Sequence, residues 1–575
     1  MLDGVTPFPP ERAATYRAAG YWTGATFPDL LQHSIRQRGD ALAVADDRGH
    51  ELTYRELGAA VEAAAARLHA LGIRDRDRVV VQFPNVISYL PTVFALFRLG
   101  ALPIFALPGH RERELTHFVQ HADAVAIITV RRHGRDRLGE TAAHVAEQVA
   151  AAHAEAGRAD AELIVITDPD ALVAPAEPGL ASAPAVSIDP EDTAFLQLSG
   201  GTTGVPKMIP RSSDAYIYTL RRSNELCGVT ERSVYLAALP VPHNFTMSSP
   251  GVLGVLLAGG TVVLASAPAP DTCFDLIARR HVTITALVPP LALLWADHVG
   301  SAASLESLEV LQIGGAKLTP TAARRIVDAF DCTLQQVFGM AEGLVNYTAL
   351  DAPLDEIVET QGRPMSPADE LRIVDDSDQP LPQGTAGNLV TRGPYTINGY
   401  YRAAETNRSS FTHDGFYRTG DIVRIDDTGS LIVEGRSKDL INRGGEKVVA
   451  AQVEDALLQH PRVFDAVVVP KPDDRLGETI AAFVQLRSAT GAGAAAGAVA
   501  DAAAANDADA VTADADAWND PVTMSRELRA FLRDVGLASF CVPDEFHVID
   551  EMPVTAVGKS SRRDLRNVLA ARLTD

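Results

Sequence analysis

A chain of 575 residues is too long for one hydrophobic core, and about two to four domains are expected. Its 51 Lys and Arg stand against 74 Asp and Glu, a formal net charge of −23, so its overall field opposes nonspecific hold on nucleic acid or an anionic membrane. Cys227, Cys273, Cys332 and Cys541 are far apart and form no C-x-x-C pair, which points away from a disulfide framework or zinc site and toward a reducing cytoplasm.

The first residues carry Asp3, Glu11 and Arg12 in place of a basic segment and an apolar run, so no signal peptide is expected. Residues 1–28, with Pro7, Pro9, Pro10, Tyr16, Tyr21 and Trp22, read as an irregular leader draped over the surface. From Phe27 the pattern alternates. A helix through Leu30, Leu31 and Ile35 precedes a strand at 42–45, a helix at 54–71, a strand at 78–81 and a helix at 86–99. A strand at 101–105, a helix at 111–121, a strand at 125–129, a helix at 138–156 and a strand at 163–167 follow. Residues 168–190, rich in Ala and Pro, read as a surface loop. Such alternation implies right-handed crossovers and a mostly parallel, covered sheet.

After residue 207 the alternation resumes, with strands at 234–239, 261–265, 284–288, 310–313 and 334–338 and helices at 271–280 and 319–330. Tyr235 to Pro270 carries no Asp, Glu, Lys or Arg. Pro240, Pro242, Pro250 and Gly259-Gly260 break it into pieces shorter than the ~20 residues of a spanning helix, so it reads as buried core. Short strands at 370–374, 388–391, 422–425 and 431–434 suggest a β-rich subdomain over about 360–436. Beyond it the texture is α+β, with helices at 450–459, 525–535 and from Ser560, and strands at 466–469 and 480–486. The expected class is therefore α/β: an N-terminal domain, 1–436, with mostly parallel covered sheets plus the β-rich subdomain, and a small α+β C-terminal domain, 437–575. Within the latter, 488–522 is Ala-, Asp- and Gly-rich and has no Lys or Arg; it cannot supply a core and reads as a disordered insertion.

The chemistry lies on the loops. Ser199-Gly200-Gly201-Thr202-Thr203-Gly204-Val205-Pro206-Lys207 follows a short apolar strand, and its backbone N–H groups and hydroxyls can converge on a phosphate, with Lys207 adding charge. It is not the nucleotide-triphosphatase loop, because Lys207 follows Pro206 and precedes Met208. Phe338-Gly339-Met340-Ala341-Glu342 leaves a strand end, where α/β sheets bind ligands, and Glu342 can hold magnesium between phosphates. In Tyr417-Arg418-Thr419-Gly420-Asp421, the carboxylate of Asp421 can accept from ribose hydroxyls. Gly435-Arg436-Ser437-Lys438-Asp439 sits at the domain boundary, and Pro553 to Lys559 puts a lysine on a glycine-bearing loop before the last helix. Each motif alone also reads as a turn, a linker or a solvated charge.

Together and in this order the five motifs resemble the core motifs of the adenylate-forming superfamily of acyl-CoA synthetases, luciferases and nonribosomal-peptide adenylation domains, over nearly the whole chain. Within it, His243 to Gly251, Gly314-Gly315-Ala316-Lys317 and Gln335 to Tyr347 resemble the stand-alone (2,3-dihydroxybenzoyl)adenylate synthases of siderophore synthesis. The resemblance implies activation of an aryl acid by ATP and Mg2+, then transfer to the phosphopantetheine thiol of a separate aryl carrier protein. It places the triphosphate on Ser199 to Lys207, adenine by Gly314 to Ala316 and Val337 to Gly339, the ribose on Asp421, and the metal on Glu342. Lys559 becomes the catalytic lysine, His243 shapes the approach of the carboxylate, and Arg436 steadies the nucleotide. The hinge falls on Lys438, about which the small domain swings to present Gly444 to Lys447. Asn244, Phe245, Ser249, Gly314, Ala316, Val337 and Val345 line the acid pocket.

Amino-acid-activating relatives place an aspartate at the position of Asn244; a neutral amide lacks that charge but hydrogen-bonds a phenol. Ser249 and Val345 match the 2,3-dihydroxybenzoate pattern, where salicylate-selective relatives tend to carry Cys and Leu. Phe245 departs from the family's tyrosine. Arg562, Arg563 and Arg566 offer a basic face to an acidic carrier or to solvent. A salicylate-AMP ligase, an aryl-CoA ligase and a noncatalytic adenylate-binding scaffold stay open as alternatives.

Overall fold

The computed structural model describes residues 2–155, 162–199, 206–301, 305–443, 446–473, 475–487, 520–555 and 558–574. Two sheets form the body of the large N-terminal domain. One has nine strands, in the order Arg363–Pro364, Val345–Tyr347, Thr333–Gly339, Val310–Gly314, Ile284–Leu287, Val234–Ala237, Thr261–Leu264, Leu42–Asp46, Glu51–Thr53. Its middle is parallel and its margins antiparallel. The other has six, in the order Ile164–Ile166, Ala126–Thr129, Arg78–Gln82, Leu102–Ala106, Thr193–Leu198, Met208–Ser212, antiparallel only at the last pair. The strand Arg78–Gln82 is buried on both faces, which is why its middle reads as an unbroken run of Val.

The helices Tyr54–Ala70, Tyr89–Arg98 and Gly251–Ala258 pack in a core that takes side chains from both sheets, Val44 and Val262 from one, Val79 and Val81 from the other. Thr26 with Asp29 and Thr53 with Glu56 form capping boxes that start two of the N-terminal helices. An antiparallel four-stranded sheet, Glu370–Val374, Gly387–Arg392, Tyr417–Ile425 and Leu431–Arg436, follows. A single 3-10 turn, Ser437–Asp439, leads from it into the smaller C-terminal domain, built on a sheet of five strands with the helices Ala450–Leu458, Pro521–Asp534 and Arg562–Thr574. Ala450–Leu458 packs on Pro320–Ala329 of the large domain, where Thr321 N–H donates to Asp455 at 3.1 Å. Among the described residues no helix is long and apolar enough to cross a membrane.

Three expectations are corrected. The leader is not loose drapery: it holds a helix, Pro10–Ala18, with Ala13, Tyr16 and Trp22 buried, and the Trp22 indole donates to the Pro394 carbonyl at 3.0 Å. The loop after Thr167 contains a short helix, Pro169–Val173, capped by Asp168. Of the expected insertion, 488–519 lies outside the described residues, whereas Asp520 caps a helix that begins at Pro521. A proline at the first helical position and a carboxylate before it are helix-start chemistry, hidden by the composition around them.

Candidate active site

The C-terminal ends of parallel strands from both sheets converge, and two buried amides tie them together. Asn85 Nδ2 donates to the carbonyls of Ala237, Leu239 and Ala265 at 2.9, 3.0 and 3.1 Å, while its Oδ1 accepts from Val241 N–H at 2.9 Å. Gln197 Nε2 donates to the Pro242 carbonyl at 3.1 Å. Neither has a sequence motif to announce it, but together they fix the segment that delivers His243 and Asn244.

His243 caps the short helix Asn244–Ser248, its Nδ1 accepting from Phe245 N–H at 3.3 Å. The neutral ring therefore carries its proton on Nε2. Burial and the nearby Lys559 charge push its pKa down to about 3, so it stays neutral at working pH. The Asn244 Oδ1 accepts from the Tyr216 hydroxyl at 2.9 Å, leaving the amide nitrogen as the group to present. The Tyr216 ring is clamped by Phe195 edge-on at 4.8 Å and by the buried Arg211 guanidinium 5.1 Å from its centroid.

Phe245, Ser249, Val337 and Val345 are buried, and Gly314 lies opposite Val337 in the parallel register. A Cβ on Gly314 would fall 2.9 Å from Phe245 Cζ and 2.7 Å from the Val337 carbonyl oxygen, so glycine is required by space. Ala316 and Gly339 are exposed at the ends of the same strands, and Phe338 packs partly into the core of the four-stranded sheet.

Among the residues expected to meet the nucleotide, Asp421 is 2 % exposed and pairs through Oδ1 with Arg436 Nε at 2.9 Å. Burial still raises its pKa, and its Oδ2 is buried without a hydrogen-bond partner, an orphan acceptor on the residue expected to take the ribose hydroxyls. Glu342 Oε1 accepts from the Tyr400 hydroxyl at 2.7 Å; that hydroxyl also lies 3.0 Å from the Tyr417 hydroxyl. The Lys207 ammonium rests over the Tyr400 ring, 4.5 Å from its centroid. Ser199 and Lys207 close the neck of the glycine-rich loop, with Ser199 N–H donating to the Lys207 carbonyl and Lys207 N–H to Ser199 Oγ, each at 2.9 Å. Gly200, Gly201, Thr202, Thr203 and Gly204 lie outside the described residues. Tyr400, which joins Lys207 to Glu342, was missed in the sequence; the signal available was only a Gly-Tyr-Tyr run.

Lys559 arrives from the small domain. Ser561 N–H donates to the Pro553 carbonyl and Thr555 N–H to that of Lys559, each at 2.7 Å, closing the loop. Gly315 has φ +83°, and a Cβ there would stand 2.8 Å from Lys559 Cε, so this left-handed glycine lets the lysine pass. Burial and the Arg436 charge lower the Lys559 pKa to about 8, partly countered by Asp421. Beside the loop an apolar cavity of about 330 Å³ lies between the domains, with Leu239, Pro240, Leu291, Met552 and Gly558 in its wall.

The backbone of Lys438 lies in the 3-10 turn between the domains. Gly444 and Gly445 are outside the described residues. Arg562 is no free carrier contact: its guanidinium binds both Glu454 oxygens, at 2.6 and 2.7 Å. Arg563 remains exposed.

Two family models match, AMP-binding enzyme over residues 31–401 and AMP-binding enzyme C-terminal domain over 452–559. A 2,3-dihydroxybenzoate-AMP ligase of Bacillus subtilis is 48% identical over 100% of this chain and 99% of its own. A salicyl-AMP ligase / salicyl-S-ArCP synthetase of Mycobacterium tuberculosis is 42% identical over 98% of this chain and 94% of its own. The solved structure of apo MbtA from Mycobacterium smegmatis superposes with a TM-score of 0.70 at 40% identity, covering 98% of each chain. With that coverage and the two-domain site described above, the chain belongs to the AMP-binding enzyme family.

Proposed function

We propose that this protein is an aryl acid-AMP ligase that joins 2,3-dihydroxybenzoate to AMP with release of pyrophosphate, then passes the aryl group to the phosphopantetheine thiol of a carrier protein in siderophore synthesis. One observation carries the reading: Lys559 of the small domain reaches Gly315 of the large one, with His243, Asp421 and Arg436 near enough to act on its charge or feel it. The relatives named above support the substrate class.

The carboxylate oxygen attacks the α-phosphorus, a new P–O bond forms, and the bond to the bridging oxygen breaks as pyrophosphate leaves. Both reactants are anionic, so a fixed cation between them is the main requirement. Lys559 supplies it. The neutral His243 presents Nε2–H to an oxyanion, Asn244 donates from Nδ2 to the 2-oxygen of the ring, and Asp421 accepts from the ribose through Oδ2. The glycine-rich loop with Lys207 receives the triphosphate. Among the described residues no group of three or more His, Cys, Asp or Glu forms a metal cage. A single carboxylate, Glu342, fits magnesium, which is commonly held by one or two carboxylates plus substrate phosphates and water; when bound it neutralises phosphate charge. Rotation of the small domain about Lys438 then withdraws Lys559 and admits the thiol.

The test is acid-dependent exchange of labelled pyrophosphate into ATP across benzoate, salicylate and 2,3-dihydroxybenzoate. The expected order puts 2,3-dihydroxybenzoate first, and holo-carrier is expected to outcompete coenzyme A as acceptor. No exchange with any aryl acid would overturn the assignment.

A further inference from the structure

The small domain meets the large one on the helix Pro320–Ala329, and the contact is polar. The first turn of that helix can be accounted for bond by bond. Pro320 has no N–H. Thr319 Oγ1 accepts from Ala322 N–H at 3.4 Å, and the Thr319 carbonyl accepts from Ala323 N–H at 2.9 Å. The remaining N–H of the turn, from Thr321, donates across the domain boundary to Asp455 Oδ1 at 3.1 Å. Glu454, the neighbouring carboxylate, is already taken within the small domain by Arg562 and by Val468 N–H at 2.8 Å, so the contact across the boundary falls to Asp455. One turn further along the helix, Arg325 Nη2 donates to Asp297 Oδ1 at 3.2 Å, and Asp297 Oδ2 accepts from Arg487 Nη1 of the small domain at 3.5 Å. Lys317 adds a half-buried ammonium on the large-domain side; burial lowers its pKa, countered by the charges of Glu434, Asp455 and Glu454.

A carboxylate at the start of a helix is held twice, by a charge-assisted hydrogen bond and by the macrodipole. Here the carboxylate and the helix belong to different domains, so both attractions act only while the small domain is docked. That docked position is the one that puts Lys559 beside Gly315. Packing between the domains is incomplete beside the Lys559 loop, where the cavity of about 330 Å³ lies, so polar contacts carry a larger share of the docking. We propose that Asp455, supported by Arg487, is a positioning residue: a latch that holds the small domain in the adenylating position and opens when that domain rotates about Lys438. This rests on the adenylation reading above and adds the contact that decides how long Lys559 stays in place. Asp455 meets no reactant and acts through Lys559. On release, Thr321 N–H and the carboxylate both return to water, which satisfies them, so the latch is weak enough to open at each turnover.

The experiment puts one spin label on an exposed position of each domain of the full-length chain and reads the docked and released populations by double electron–electron resonance. Pyrophosphate exchange, and transfer from preformed 2,3-dihydroxybenzoyl adenylate to free pantetheine, are measured beside it. Asp455→Ala is expected to lower the docked-to-released ratio by about 10-fold and to slow exchange, with thiol transfer unchanged or faster. Asp455→Asn keeps an acceptor oxygen without the charge and is expected to recover part of the ratio. Arg487→Gln, at an exposed position, is expected to shift the ratio less and in the same direction, and serves if the alanine variant is unstable. An unchanged ratio in Asp455→Ala and Arg487→Gln, or equal losses in both half-reactions, overturns the latch. A wild type that exchanges with no aryl acid overturns the adenylation reading instead, and the distance populations still decide the latch.

Discussion

Burial of the Lys559 ammonium near Arg436 has a kinetic signature. Its pKa, lowered from the ordinary 10.5 to about 8, means the charge is present below pH 8 and is lost as pH rises through that value. Since kcat/KM reports ionisation of the free enzyme, adenylation efficiency is expected to fall on an alkaline limb centred near 8. Lys559→Arg stays charged and should move that limb upward at lower overall rate; an unmoved limb would assign it to another group. Lys559→Ala should cost adenylation about 100-fold or more, yet leave thiol transfer from preformed aryl adenylate nearly intact. Equal losses in both half-reactions would remove the lysine from its assigned role. His243 makes no such limb in the working range, because its pKa of about 3 keeps it neutral throughout.

At the level of elements, the strand Val345–Tyr347 is held at its start by a buried phenol and acid. Tyr395 accepts from Val345 N–H at 3.2 Å and donates to Asp369 Oδ2 at 2.6 Å, while Asp369 Oδ1 is buried without a partner. Desolvation raises the Asp369 pKa from 3.8 to about 7. The folded state therefore binds the proton more tightly, and stability should fall as pH rises between about 4 and 7. Asp369→Asn keeps the acceptor and removes the charge, so melting temperature measured against pH should rise relative to wild type at pH 8 and match it near pH 4. A parallel pair of curves would refute the assignment.

Elements like this strand also mark what the chain revealed by itself. Arg78–Gln82 and Ile284–Leu287 were legible because burial on both faces leaves short, mostly apolar runs rich in β-branched residues. Val463–Asp473 was read too short, since its C-terminal end carries Pro470, Pro472 and Asp473, poor strand formers that nonetheless pair antiparallel with the next strand, Gly477–Leu486. Motif residues such as Asp421 and Lys559 were legible from order and type. Tyr216, Tyr400 and Asn85 were not, because a buried hydroxyl or amide is defined by partners that lie up to 180 residues away, as Asn85 and Ala265 do.

Across the whole molecule, the leader is a brace. Trp22 is 3 % exposed, packs edge-on to Phe8 at 4.9 Å, and bonds the backbone at Pro394, on the run that continues to Tyr400. Arg12 reaches Asn398 at 2.9 Å on the same run. Trp22→Ala is expected to cost about 3–5 kcal/mol in chemical denaturation, a large share of the stability of one domain. A loss below 1 kcal/mol would make the leader an ornament. The largest consequence belongs to the loop that threads Lys559 past Gly315. A segment that completes the first reaction by filling the space above the glycine cannot share that space with a second nucleophile. On the proposed mechanism the enzyme works as a turnstile: each turnover must empty the seat before the next guest enters. In that proposal, Lys559 also guards the finished adenylate until the small domain moves away.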